Sequence, residues 1–274
     1  MMASKTKKNA SKLAKKKILG YIISIIVILV GGYFAKDYII DNPYEDTPLS
    51  EYYLPVEGLE GKELMDALHD IISTNIVGVN YGDARVALAE ADVDPNDDTK
   101  VLTIYSRESV NKTWDGGDTW AREHVWPNSR LGIERVENHK INQASDLHNL
   151  RAIVPRVNSS RSNKVFGPET TSDTYFPGDE DKGDVARILF YMVIRYPELK
   201  LVEEVLDNDP ETNYTPDGAK MAILSYLITW HYEDPVDDFE RNRNEVIYSY
   251  QKNRNPFIDH PEFVAKIFEH DDYK

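Results

Sequence analysis

The positions of apolar residues predict a folded body that contains several helices. Residues 64–72 place five apolar side chains at three- and four-residue spacing, which predicts an amphipathic helix. Further helices are predicted over 184–196, 217–232 and 236–251, the last two separated by Asp234-Pro235. Val101 to Tyr105 is a candidate strand, and residues 106–182, rich in Gly, Asn, Asp and Ser, predict loops and short strands.

One segment near the start of the chain is apolar throughout. Residues 18–35 carry no charge, and a helix of that length spans about 27 Å, close to the hydrocarbon thickness of a bilayer. Residues 1–17 hold seven lysines and no acid, which favours an uncleaved membrane anchor with this basic tail inside and the body outside. A cleaved signal peptide and a buried core helix are the alternatives. Residues 36–60 predict a linker, and 61–274 the functional domain.

The charge balance limits the choice of partners. Beyond residue 17 the chain has 25 basic and 47 acidic residues, a net charge of −22, which repels polyanions at long range. The absence of cysteine excludes disulfides, thiolate-bound zinc and thiol catalysis. Residues 147–168 form a local exception, since they contain no acid. Four cations of this strip could dock a polyanion, unless the gap in acids is accidental: Arg151, Arg156, Arg161 and Lys164.

Residue types suited to phosphodiester cleavage concentrate in two pieces, TWAREHVWPNS (119–129) and SDLHNLRAIVPRVNSSRSNKVFG (145–167). His124 can act as a general base near neutral pH. Glu123 and Asn158 offer oxygen ligands to a hard cation, and arginines can clamp phosphate. Each residue also has an ordinary alternative, namely a structural histidine, a surface carboxylate or a helix cap. Adjacent strand residues point to opposite faces, so a bend or bulge is expected if Glu123 and His124 serve one site.

These pieces resemble the bacterial endonuclease I family of secreted, nonspecific nucleases, whose core is the ββα-metal, or His-Me, finger. The resemblance rests on REHVWP, SDLHNL and VNSSRSNKVFG. It continues in residues 183–196, 230–251 and 253–262, and it covers roughly 62–268. It implies an α+β fold in which the finger is embedded in a mostly helical body, preceded by the transmembrane or signal helix.

The resemblance also implies roles for individual residues. His124 would end the first finger strand and act as the base that activates water. Glu123 and Asn158 would hold one Mg²⁺, with Mn²⁺ or Ca²⁺ as alternatives, and Asn158 would open the finger helix. Arg161, one turn into that helix, would face the substrate phosphate. The leaving group would be assisted by Arg122, Arg151, Arg161 or metal-bound water, and five cations would bind substrate: Arg122, Arg151, Arg156, Arg161 and Lys164.

The predicted function is therefore that of a monomeric, metal-dependent and largely sequence-nonspecific endonuclease. It would act outside the cell membrane, or be secreted after signal cleavage, on DNA first and RNA second. Two other functions are compatible with the same residues. One is a metal-dependent phosphodiesterase for small substrates, and the other is an anchored protein that binds nucleic acid without cutting it.

Overall fold

The computed structural model describes residues 48–204 and 219–273. The predicted basic tail (1–17), the apolar segment (18–35) and residues 36–47 of the predicted linker lie outside these ranges. Within them, none of the helices combines the length and the apolar character needed to cross a bilayer. The described residues fall in one compact unit that begins at Thr47.

Helices and small sheets both contribute to the fold, which is α+β. The helices are α1 (Leu49–Tyr52), α2 (Gly61–Ser73), α3 (Ala84–Ala91), α4 (Pro155–Arg161), α5 (Lys182–Arg195), α6 (Leu224–Glu233), α7 (Asp238–Gln251), α8 (Pro256–Asp259) and α9 (Phe263–Phe268). The strands are β1 (Val93–Asp94), β2 (Asp97–Leu102), β3 (Ser109–Asn111), β4 (Ala121–His124), β5 (Leu150–Ile153), β6 (Val165–Phe166), β7 (Thr174–Tyr175), β8 (Lys200–Val202) and β9 (Lys220–Ala222).

The strands pair locally. β1, β2 and β3 form an antiparallel sheet, and β4 pairs with β5 in antiparallel register from Ala121 opposite Ile153 to His124 opposite Leu150. The pairs β6–β7 and β8–β9 are parallel. The chain therefore passes from β4 through a loop to β5 and directly into α4, so that two antiparallel strands are followed by a helix.

Two clusters of buried side chains position this ββα unit. The larger surrounds α5, which is buried from Gly183 to Ile194, and it includes the apolar face of α2 at Leu64, Leu68 and Ile72. The smaller joins the alanine-rich face of α3 to Trp120 and to alternate residues of β5. A helical body with a buried central helix thus holds β4 and β5 from one side.

The predicted helices are confirmed at α2, α5 and α7, with ends that shift by at most three residues. Asp237 caps α7, because its side chain accepts a hydrogen bond of 2.9 Å from the Glu240 backbone N–H. The predicted helix over 217–232 is wrong in its first part, where β9 precedes α6. The predicted strand over 101–105 ends earlier, at Leu102.

The predicted linker is also wrong over residues 48–60. Tyr52, Tyr53 and Val56 are buried in the main cluster, and the Tyr53 hydroxyl donates to Asp259 Oδ2 at 2.7 Å. Two adjacent tyrosines bring enough apolar surface to pack onto the C-terminal helices although the segment has no helical period. The folded body therefore begins near Leu49 rather than near Gly61.

Candidate active site

Glu123 is the buried acid of the site. It is 2% exposed on β4, and its Oε1 atom accepts a hydrogen bond of 2.9 Å from the Tyr105 hydroxyl. The Arg161 Nε atom lies 3.2 Å from the same oxygen. Burial raises the pKa of Glu123 to about 7, although Arg161 and the tyrosine hydrogen bond oppose the shift. No hydrogen bond to Oε2 from the described residues is seen, so this oxygen remains for a ligand.

The loop that carries Tyr105 is held in an unusual backbone conformation. Tyr105 and Arg107 have φ of 70° and 49°, in the left-handed region that non-glycine residues rarely adopt. Asp181, which is buried, fixes both residues: its Oδ2 accepts from the Tyr105 N–H at 2.7 Å, and its Oδ1 accepts from Arg107 at 2.9 Å. This loop conformation brings the tyrosine hydroxyl onto Glu123.

His124, the last residue of β4, lies in a different environment. Its Nε2 atom is 2.8 Å from the Ala144 carbonyl oxygen, which can only accept, so Nε2 carries the proton and Nδ1 has a free lone pair. The imidazole stacks on Tyr81, with ring centroids 5.2 Å apart. Burial, reinforced by nearby arginines, lowers the pKa of His124 to about 4, so the ring is neutral at pH 7.

The Ala144 carbonyl is itself fixed by a short 3-10 turn, Gln143–Ser145. Asn142 caps this turn: its side-chain oxygen accepts from the Ala144 N–H at 3.0 Å, while its own N–H donates to the Ser145 hydroxyl at 3.0 Å. The acceptor that orients His124 therefore belongs to a rigid turn 20 residues further along the chain.

Glu123 and His124 leave β4 on opposite faces, and the expected bend or bulge is absent from the regular β4–β5 register. Arg161 links the two environments. Its guanidinium contacts Glu123, donates to the Val125 carbonyl at 2.6 Å, and lowers the pKa of His124 through its charge. Glu123 and His124 thus lie at the same end of β4, one on each face of the strand.

Asn158 lies on α4, one turn before Arg161. Residues three apart share a helix face, so Asn158 is on the face that Arg161 uses to contact β4. The side chain is partly exposed, and no hydrogen bond to its amide from the described residues is seen. α4 starts at Pro155, whose fixed φ suits a first helical residue, so the prediction that Asn158 opens the helix is wrong.

The prediction that Arg161 faces substrate phosphate is wrong. Its side chain has no solvent exposure, and the guanidinium lies against Glu123 with its charge centre 4.7 Å from the Phe166 ring. Arg161 is placed to hold Glu123.

The predicted basic strip is also wrong for Arg151, which is 1% exposed. Its guanidinium pairs with Asp92 at 3.0 Å and with Asp184 at 2.9 Å, and Arg243 pairs with the same Asp92 oxygen at 2.9 Å. Asp92 is fully buried in this network. Arg151 is therefore structural and lies out of reach of a substrate.

Arg156 and Lys164, the other two members of the strip, do reach the surface. Arg156 pairs with Glu108 at 2.6 Å, and Lys164 donates to the Thr171 carbonyl at 2.8 Å. Arg122 lies on the His124 side instead: its guanidinium sits 3.7 Å over the Tyr81 ring and donates to the Tyr81 carbonyl. The five predicted substrate-binding cations thus fall in separate places.

The site contains contacts for which the sequence gives no signal. Tyr81, Tyr105 and the Ala144 carbonyl touch the predicted acid or base, yet all three lie well outside the REHVWP piece. The described residues contain no group of three or more His, Asp or Glu that could hold a metal. Oxygen donors for a cation would therefore come from Glu123 and the Asn158 amide, completed by water and substrate.

Comparison with known proteins gives one family match and several relatives. The family model described as Endonuclease I matches residues 60–176 and 168–262. The extracellular ribonuclease of Bacillus subtilis (strain 168) is 39% identical over 247 residues, covering 82% of this chain and 80% of the relative. The extracellular ribonuclease of Bacillus amyloliquefaciens is 39% identical over 247 residues, covering 83% and 80%. Endonuclease-1 of Buchnera aphidicola subsp. Baizongia pistaciae (strain Bp) is 25% identical over 131 residues, covering 42% and 46%.

Proposed function

We propose that this chain, which belongs to the endonuclease I family, is an extracellular, metal-dependent nuclease that hydrolyses phosphodiester bonds with little regard to sequence. The matched residues include β4, β5 and α4, whose order is that of a ββα-metal finger. The extracellular location is proposed from the names of the two Bacillus relatives.

The observation that carries the proposal is the orientation of His124. Its proton is held on Nε2 by the Ala144 carbonyl, which leaves Nδ1 able to take a proton from water. A pKa of about 4 is low for this role. An anionic phosphate beside the ring would favour the imidazolium and raise the pKa towards the working pH. His124 is therefore a base whose strength would increase when substrate is bound.

The oxygen donors of Glu123, on the opposite face of β4 from His124, and of Asn158, on α4, are of the type that a hard divalent cation such as Mg²⁺ binds. Glu123 is a buried carboxylate with one oxygen held by Tyr105 and Arg161, and Asn158 presents an amide on the adjacent helix face. Once bound there, the ion would neutralise charge that develops on the phosphate. Arg161 holds the carboxylate in place and cannot move towards substrate without losing its buried hydrogen bonds.

The names of the relatives bear on the substrate. DNA is the first expectation from the sequence, while two relatives at 39% identity are named ribonucleases. We therefore propose that both RNA and DNA are cut. Contacts to the phosphate backbone position a nucleic acid without reading its bases, which is consistent with low specificity.

The decisive experiment is digestion of supercoiled plasmid and of a long RNA by the purified protein, with Mg²⁺ or with EDTA. We expect both polymers to be cut internally with Mg²⁺ and neither with EDTA. Cleavage of a small phosphodiester but of neither polymer would favour the phosphodiesterase alternative. Binding without cleavage under all metal conditions would favour the non-catalytic one.

A further inference from the structure

Three arginines near Tyr81 and His124 have no carboxylate partner among the described residues. Within that part of the chain, Arg85 donates to the Gly82 carbonyl, and Arg122 donates to the Tyr81 carbonyl and to the Asn138 side chain. Arg135 is exposed, and no ion pair or hydrogen bond from the described residues reaches its side chain. This contrasts with the buried Arg151, which is held by two carboxylates.

The three arginines belong to one surface. The Arg122 guanidinium lies 3.7 Å over the Tyr81 ring, and the His124 imidazole stacks with the same ring at 5.2 Å. Arg85 contacts Gly82, the residue after Tyr81. The loop that contains Arg135 is joined to the same segment, because Gly82 N–H donates to the Asn138 carbonyl at 2.7 Å and Tyr81 N–H donates to the Lys140 carbonyl at 3.0 Å.

Among the described residues, the acids nearest in sequence form no ion pair with these arginines. Asp83 accepts a hydrogen bond of 2.7 Å from the Asn80 amide, Glu137 lies 3.4 Å from His139, and Glu134 has no ion pair with Arg135. The chain as a whole carries a net charge of −15 and repels a polyanion at long range. A local group of cations without ion-pair partners is therefore where an anion can bind.

We propose that Arg85, Arg122 and Arg135 form a subsite for the phosphates that flank the scissile bond, on the Tyr81 side of His124. The inference rests on the proposed nuclease function and specifies where the polymer docks. Guanidinium groups bind phosphate through paired hydrogen bonds, and they do so independently of the base sequence. The docking surface is thus the Arg85–Arg122–Arg135 cluster rather than the strip at residues 147–168.

The test measures the salt dependence of binding in a His124→Ala background, which removes the proposed base in every sample. Arg85→Gln/Arg135→Gln is compared with the control Arg156→Gln/Lys164→Gln, which removes the same charge from the former strip. A fluorescein-labelled 16-base-pair DNA duplex is titrated at several KCl concentrations, and Kd is read by fluorescence anisotropy. Each lost phosphate contact on duplex DNA should flatten the log–log salt slope by about 0.9.

We expect the Arg85/Arg135 variant to bind more weakly and to lose about one to two units of slope, while the control keeps the parent slope. An unchanged slope in the Arg85/Arg135 variant, or an equal loss in the control, overturns the subsite. The single variant Arg135→Gln, at an exposed position, provides the same test if the double variant does not fold. Cleavage of plasmid or RNA by the unmodified protein is scored separately, so the nuclease function can stand when the subsite fails.

Discussion

The raised pKa of Glu123 makes the affinity of the protein for a divalent cation depend on pH. The ionised carboxylate is the form that binds metal, and its pKa is about 7 instead of 4.5. A shift of that size corresponds to about 3 kcal/mol against ionisation, on the order of one weak metal–ligand interaction. Above pH 8 the Glu123 carboxyl group is already ionised, so the cost of ionising it no longer weakens the apparent affinity for the cation.

The apparent Kd for Mn²⁺ should therefore rise as pH falls. With a pKa of about 7 the ionised fraction is about 90% at pH 8 and about 10% at pH 6, so the apparent Kd should increase about tenfold over that interval. The measurement is calorimetric or electron paramagnetic resonance titration of the metal-free protein with MnCl₂ at pH 6, 7 and 8. Asn158→Ala should bind Mn²⁺ more weakly at every pH but keep the tenfold change.

Stability provides an independent check with a defined sign. A buried acid with a raised pKa contributes stability below its unfolded pKa of about 4.5 and loses it as pH rises through about 7. Bound Mn²⁺ compensates for that loss, so saturating Mn²⁺ should raise the melting temperature more at pH 8 than at pH 6. A Mn²⁺ affinity that stays flat from pH 6 to pH 8, or that persists in Glu123→Gln, would show that the ion binds elsewhere.

Three further outcomes are expected. His124→Ala should lower the cleavage rate by about 10²- to 10⁴-fold with nucleic-acid binding retained, and a rate within threefold of the parent would remove His124 as the base. Asn158→Ala should raise the Mg²⁺ concentration for half-maximal cleavage, whereas an unchanged metal titration would contradict its role as a ligand. Arg151→Met should lower the free energy of unfolding by about 3–5 kcal/mol because it removes the guanidinium that pairs with both buried carboxylates, Asp92 and Asp184. Arg156→Gln, at an exposed pair, should change it by less than about 1 kcal/mol, and equal urea midpoints for the two variants would refute the distinction.

The helices were predictable because their signal is local. Burial of one face imposes a three- and four-residue period, and α5 appears within two residues of its predicted start. The short strands of the site carry less information, since β4 and β5 have four residues each. Their pairing depends on the packing of α3 and α7 against them. The motif pieces placed Glu123, His124 and Asn158 correctly around β4 and α4, but the start of α4 was set by Pro155.

The predicted basic strip is wrong at Arg151 for a physical reason that applies whenever charges are counted along a sequence. A stretch without acids can still have its cations neutralised by acids distant in sequence, as Arg151 is by Asp92 and Asp184. Conversely, Arg135 has Glu134 and Glu137 nearby in sequence and yet has no ion pair with either. Whether a cation is available to substrate depends on the tertiary fold, which charge counting cannot supply.

On the proposed function, the cation and the substrate would each reverse one of the opposite pKa shifts of Glu123 and His124. Without ligands, burial favours the protonated acid and the neutral base. A cation favours the carboxylate, and a phosphate favours the imidazolium, so each ligand reverses one shift. Since a bound cation also attracts the phosphate, and the phosphate supplies further oxygen ligands, either ligand lowers the free energy of binding the other. The two neighbouring residues of β4 are thus coupled through the ligands that they would bind, although their side chains point to opposite faces of the strand.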